Sequence, residues 1–315
     1  MKPVFSHSEP EHDGGALRWL PVFFILLQDT LYGFGDPISK TAYAVLPVFS
    51  LLTVRYCIAL AFLLLVFGRR FLHGLQRCSW RDWIVPALCT GGAYVCGNIA
   101  LGVTAATSVA FLRSLSTVLT PLLTAVIFHR KLDRKHIPVL LMVAAGLYLL
   151  CGLGGLSGFG RGEALALCAA LFLSSSLIFG QRSLKRVDSV TLTVMQTAIC
   201  AVMALVCAMV FDRGVHLEAA TGTHWAVIVY LALACTVAGY LLQNAALGRI
   251  SARTVSLLQC LCPVMTAFFS WLILGERLSA AGILGAAILV SCAAAETLMM
   301  SRRRAPLPEK AAKTS

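Results

Sequence analysis

The sequence predicts an all-α membrane protein of ten transmembrane helices built from two inverted five-helix repeats. Three observations carry the prediction. Hydrophobic residues make up 58% of the 315 residues, charged residues only 13%, and the mean hydropathy is +0.83, outside the range of soluble domains. The stretch CTGGAYVCGNIALG at 89–102 returns as CTVAGYLLQNAALG at 235–248, with seven of fourteen positions identical, and a repeat of this length governs the architecture. Lys and Arg are plentiful in alternate loops and scarce in the others, the pattern that orients membrane helices.

Taken in order, residues 1–17 are polar and mixed in charge. They lack the basic, apolar and small-residue succession of a cleaved signal peptide, so they read as a cytoplasmic segment and the first span does the targeting. A hydrocarbon core of about 30 Å needs roughly 20 apolar residues as helix. Spans are expected near 18–37, 46–68, 82–104, 107–128 and 136–154, which form the first repeat (18–154). A glycine-rich linker at 155–161 follows. The second repeat (162–300) holds spans near 162–181, 189–211, 225–247, 252–274 and 279–299, and a basic cytoplasmic tail closes the sequence at 301–315. With the amino terminus cytoplasmic, twenty of the 26 basic residues fall on inner segments and four on outer ones. Both termini are then cytoplasmic, in the cell membrane. Five spans per repeat is odd, so the second repeat enters the membrane upside down, an arrangement that supports alternating access.

Several function classes lose support. The net charge of +12 is dispersed in short clusters between apolar runs, which is membrane topology and not a nucleic-acid footprint. The twelve cysteines are scattered without a C-x-x-C, and no H-E-x-x-H occurs among the seven histidines, so neither a metal nor another cofactor is expected. A phosphate-binding G-x-x-x-x-G-K-S/T loop and a G-x-S-x-G nucleophile turn are both missing from the sequence. That argues against an ATP-driven pump and an intramembrane hydrolase.

What remains is a set of polar faces on apolar helices. Arg113, Thr117, Thr120 and Thr124 recur on one face of the fourth span, and Gln259, Pro263, Thr266 and Ser270 on the ninth; the third and eighth carry Thr90, Tyr94, Asn98 and Thr236, Tyr240, Asn244. Lipid offers such faces no hydrogen-bond partner, so they point inward, either as glue between helices or as the lining of a cavity. Pro121 and Pro263 are expected to kink their helices.

The piece PVMTAFFSWLILGERLSAAGILGAAILV from Pro263, with Gly275, Glu276, Arg277 and Leu278, resembles the last two helices of the EamA-like permeases of the drug/metabolite transporter superfamily. Tyr32, Gly33, Lys40 and Arg55 stand where that family tends to have Trp-Gly, a Lys and an Arg, and HRKL at 129–132 replaces its Gly-Glu-Arg-Leu in the first repeat. The resemblance covers nearly the whole chain. It implies a ten-helix solute carrier, commonly an exporter of metabolites, with a cavity between the halves.

Ionisable residues inside spans need partners, because a charge at the bilayer centre costs about 2.5–3.5 kcal/mol or more. Asp29, Arg55 and Arg113 are the three, and two arrangements are open: an Asp–Arg pair holding helices together, or arginines left to bind a charged group. Under the repeat Arg113 corresponds to neutral Gln259 and Arg55 to neutral Gln196, so positive charge is concentrated in one half. The candidate substrate-binding residues are Arg113, Arg55, Asp29, Tyr32, Tyr94, Asn98, Gln196, Tyr240, Asn244 and Gln259. The expected partners are a small-molecule substrate such as an amino acid or organic acid, the lipid bilayer, a coupling proton or sodium ion, and a second copy of the chain. The alternative is a sensor or assembly subunit that keeps the fold without transport.

Overall fold

The computed structural model describes residues 15–103, 109, 112–129, 137–151, 160–275 and 279–303. The linker centre at 152–159, the Glu276–Leu278 part of the turn motif, residues 130–132 of HRKL and most of both terminal segments lie outside them.

Every regular element among the described residues is helical. They are α1 (Gly15–Tyr43), α2 (Val48–Arg77), α3 (Trp80–Val103), α4 (Ser116–Ile127), α5 (Ile137–Cys151), α6 (Arg161–Ser183), α7 (Ser189–Cys207), α8 (Gly222–Tyr230), α9 (Gly239–Leu247), α10 (Ala252–Leu258), α11 (Cys262–Leu274) and α12 (Ala280–Arg303). A π-helical stretch, Leu231–Ala238, makes α8 and α9 one rod, and a 3-10 turn, Gln259–Leu261, does the same for α10 and α11. Among the described residues seven apolar segments are long enough to cross a membrane, and two shorter ones, Leu112–Ile127 and Ile137–Leu149, accompany them. The first helix, which carries Gln28, Asp29, Asp36 and Lys40, is not one of the seven.

Boundaries moved where tertiary packing overrode local signals. Pro37 was expected to end the first span, but α1 runs on to Tyr43 with Pro21 and Pro37 inside it. Likewise α2 extends past the apolar run to Arg77. The expected fourth span is interrupted, helical at 112–114 and turning at Leu115 ahead of α4. Pro263 sits in the first turn of α11, directly after the 3-10 turn. There its missing N–H interrupts no ladder.

Helices pair across the two halves in a matched pattern. α1 packs on α11 and on the α8–α9 rod; their counterparts, α6 on α4 and on α3, make the mate contacts, while α2 pairs with α7 and α5 with α12. The side chains give the directions. Arg70 late in α2 grips Asp188 at the start of α7 with two hydrogen bonds, Nη2 to Oδ1 at 2.7 Å and Nε to Oδ2 at 3.1 Å. At the other end of the same pair, the Ser50 N–H and hydroxyl donate to Asp212 at 2.7 and 2.9 Å. So α2 and α7 are antiparallel. α3 and α6 are antiparallel too, since Thr90 meets Ser176 while Gly97 lies near Ala169, whereas α1 and α11 run parallel, Gln28 meeting Gln259 and Asp36 meeting Thr266.

Eleven cysteines, Cys57 to Cys292 with Cys151 apart, are free. Cys200, Cys235, Cys260 and Cys292 are buried in apolar clusters, as small packing residues should be.

Candidate functional site

Two polar regions occupy opposite ends of the bundle. The end that carries Arg70, Asp82, Arg186 and Asp188 is packed by a buried network. Thr90 and Ser176 hydroxyls meet at 2.6 Å, Gln196 Nε2 donates to Thr90 Oγ1 at 3.0 Å, and Asn244 Nδ2 donates to Gln196 Oε1 at 2.7 Å and to Thr193 Oγ1 at 2.9 Å. Asn244 is 1% exposed. The side-chain amide and hydroxyl groups of this network are linked to one another, with Asn244 Oδ1 left without a hydrogen-bond partner.

A second knot lies nearer mid-bundle. Gln28 Nε2 donates to Gln243 Oε1 at 2.8 Å, while Gln259 Nε2 donates to Gln28 Oε1 at 3.1 Å and to Gln243 Oε1 at 3.0 Å. Gln259 was expected in the site; Gln28 and Gln243 were missed, although each is an amide in an apolar run.

Towards the other end lies a further set of polar and aromatic groups. Arg55, 7% exposed, donates from Nε to Thr236 Oγ1 at 2.9 Å and lies over the Tyr56 ring, 5.5 Å from its centroid. Thr236 is within the π-helical stretch, where its hydroxyl reaches the Leu231 carbonyl five residues back. Tyr56, Tyr94 and Tyr240 form an aromatic cluster, with centroids at 5.8 and 6.1 Å and the Tyr56 and Tyr240 hydroxyls 3.4 Å apart. Asn98 is half-buried; it donates to the Tyr94 carbonyl at 2.7 Å and accepts from the Tyr43 hydroxyl at 3.4 Å. Tyr32 leans over Gly239, where a Cβ would sit 2.8 Å from its hydroxyl, and that hydroxyl is dry and without a hydrogen-bond partner.

The residue that sequence reasoning missed is Asp36. Its exposed carboxylate accepts from Thr266 Oγ1 at 3.0 Å, and it interacts electrostatically with both Arg113 and Arg55. An acid at the outer edge of an expected span looks like a loop residue. The continuation of α1 to Tyr43 keeps it on a helix, against Thr266 of α11. Arg113 stands just before α4 against Gly97, and its Nε is dry and without a hydrogen-bond partner. Of the two arrangements left open, a pairing of an arginine with Asp29 is not the one seen among the described residues. Asp29 is 1% exposed and neither of its oxygens has a hydrogen-bond partner. It sits two turns before Asp36 on the same face of α1, and the arginines act on Asp36 instead.

The structure gathers Arg55, Tyr94, Tyr240 and Asn98 around Tyr56 and Tyr43, and sets Arg113 against Gly97 beside Asn98. Gln196 and Asn244 lie in the buried network, Gln259 in the glutamine knot, and Asp29 is buried with no hydrogen-bond partner. No group of three or more metal-ligating side chains occurs among the described residues. A family model described as the EamA-like transporter family matches residues 19–152 and again 160–295. The chain belongs to the EamA-like transporter family. The two matches coincide with the two halves of the duplication. An "Uncharacterized transporter YoaV" of Bacillus subtilis is 26% identical over 258 residues, covering 78% of this chain and 85% of that one. An "Uncharacterized transporter" of Archaeoglobus fulgidus is 26% identical over 163 residues, 52% of this chain and 49% of the relative. The chain thus spans about half the length of that archaeal relative. A solved crystal structure at 20% identity superposes with a TM-score of 0.76, covering 90% of this chain and 99% of the other. It shares the fold.

Proposed function

We propose that this EamA-like protein is a secondary transporter that exports or exchanges a small carboxylate-bearing metabolite, an amino acid or organic acid, by alternating access across the cell membrane. The observation that carries the proposal is Arg113, a guanidinium with a dry, unpartnered Nε that acts electrostatically on the exposed carboxylate of Asp36. Two arginines against one acid leave a net positive charge, and a buried unmatched charge is costly unless a ligand or water balances it. The guanidinium fork suits a carboxylate.

On this reading ten spans form two inverted halves, a relation supported by the antiparallel α2–α7 and α3–α6 pairs. Both termini are cytoplasmic and the Arg70 end faces the cytoplasm. The Thr90–Gln196–Asn244 network then closes the inner side, and the end around Asp36 is a vestibule that faces outward. In intact cells, single cysteines placed at 213–221 should label with an impermeant maleimide, and cysteines at 70–77 or 184–188 should not. Labelling of the latter would overturn the orientation and with it the outward vestibule.

The decisive assay is solute flux. Purified protein in liposomes loaded with a radiolabelled panel of amino and organic acids should release at least one carboxylate faster than protein-free liposomes. No flux for any member would favour the sensor or assembly reading.

A further inference from the structure

Asp29 is the one acid in the middle of α1 that the vestibule does not use. Its carboxyl is 1% exposed, and neither oxygen has a hydrogen-bond partner. The face that holds it also holds Gly33 and Asp36, at i, i+4 and i+7, and packs on α11. A Cβ on Gly33 would strike Met265, and Asp36 bonds Thr266, so α1 and α11 are in backbone-close contact here. Two turns separate the carboxyls, about 10 Å along the axis.

The groups that face Asp29 are neutral. From the 3-10 turn and α11 the interacting titratable side chains are the thiols of Cys260 and Cys262. From α8–α9 and the same turn come the amides of Gln243 and Gln259 in the neighbouring knot. On α1 itself the other acid is Asp36, which the arginines already balance electrostatically; Arg113 acts on Cys262 and Asp36, and no cation acts on Asp29. An isolated ionised carboxylate removed from water is prohibitively costly, and the group is neutralised instead. A metal cation would need several oxygen ligands, but the amide oxygens of Gln28 and Gln243 already accept hydrogen bonds within the knot. A proton needs only the carboxyl.

We propose that Asp29 is the proton-binding site of this carrier, loaded when α1 and α11 are packed as here and unloaded when they separate and water reaches it. The inference rests on the transport reading for its use, though not for its chemistry. Linkage gives the coupling its sign. Protonation stabilises the packed arrangement in which Asp29 is dry, and loss of the proton stabilises the arrangement in which it is wet. One face of α1 thus carries a proton site and, two turns on, the acid of the vestibule, so the helix that moves for one moves for the other.

The test has two arms. Infrared difference spectra of the protein in lipid between acid and alkaline pH should show a protonated-carboxyl band that is lost on alkalinisation. The band should be missing in Asp29→Asn, kept in Asp36→Asn, and shifted in Asp29→Glu. An unchanged titrating band in Asp29→Asn overturns the proposal, as does binding of radioactive sodium that Asp29→Asn abolishes. In the flux arm, a pH gradient of one unit across liposomes should shift the accumulation ratio of the transported carboxylate about tenfold per proton, and Asp29→Asn should reduce that shift to none. Flux in the wild type that ignores the gradient overturns the coupling while the carrier reading stands. Absence of any flux defeats the carrier reading, and the infrared arm still decides the proton site.

Discussion

Replacing Arg113 by Gln should remove carboxylate transport while leaving the protein folded and inserted. The duplication names this substitution, since Gln259 occupies the corresponding position of the second half. The structure says why the two positions differ. Gln259 closes a knot with Gln28 and Gln243, whereas the Arg113 Nε is dry and has no such partner, and the guanidinium acts electrostatically on the vestibule acid. A hydrogen bond to a charged group contributes about 1.5–3 kcal/mol, which corresponds to a roughly 10- to 150-fold rise in the half-saturating concentration or fall in kcat/KM. Because Arg113 packs only lightly against Gly97, at 3.5 Å from where a Cβ would be, a shorter neutral side chain fits without strain. Equal flux by Arg113→Gln and wild type would take the arginine out of the substrate site.

The all-helical, two-repeat plan was legible because its determinants are one-dimensional, although seven segments among the described residues, not ten, are long and apolar enough to cross a membrane. Apolar run length sets spans, and the repeat at Cys89 and Cys235 sets their grouping; neither needs a tertiary contact. Site chemistry was legible only in part. Asn98 and Asn244 are identical in sequence register, yet Asn244 is locked onto Gln196 and Thr193 while Asn98 stays half-buried beside Tyr43. The two mates sit against different helices, so one is packed on every side and the other is not, and a repeat in the sequence cannot encode that difference. Asp36 was hidden for a different reason. The first span was expected to end at 37, and the hydrogen bond that Thr266 of α11 gives Asp36 is a long-range contact that the local sequence does not show. Asp29 was read as an anomaly whose partner the sequence left open, because span depth locates a residue along the membrane normal and says nothing of which helix it faces.

Replacing Asp36 by Asn should split the substrate classes in opposite directions. In the wild type, one acid stands among two arginines. A simple carboxylate gains from the positive excess and is repelled by Asp36, while an α-amino acid offers its ammonium to Asp36 as it gives its carboxylate to Arg113. Neutralising Asp36 removes the ammonium's partner and raises the positive excess at the same stroke. An amide in that place can still accept from Thr266 Oγ1, which holds Asp36 at 3.0 Å, so the local geometry survives. Uptake of an α-amino acid should fall roughly 10-fold or more, the lower end of a charge-assisted hydrogen bond. Uptake of the matching acid without the amine should rise or hold. Competition assays with the two compounds on the same liposomes read the split directly and cancel differences in protein orientation or yield. A parallel loss of both compounds would make Asp36 a structural brace between α1 and α11. A parallel gain would mean that the ammonium never meets Asp36, and the carried molecule would then be an organic acid recognised by Arg113 alone.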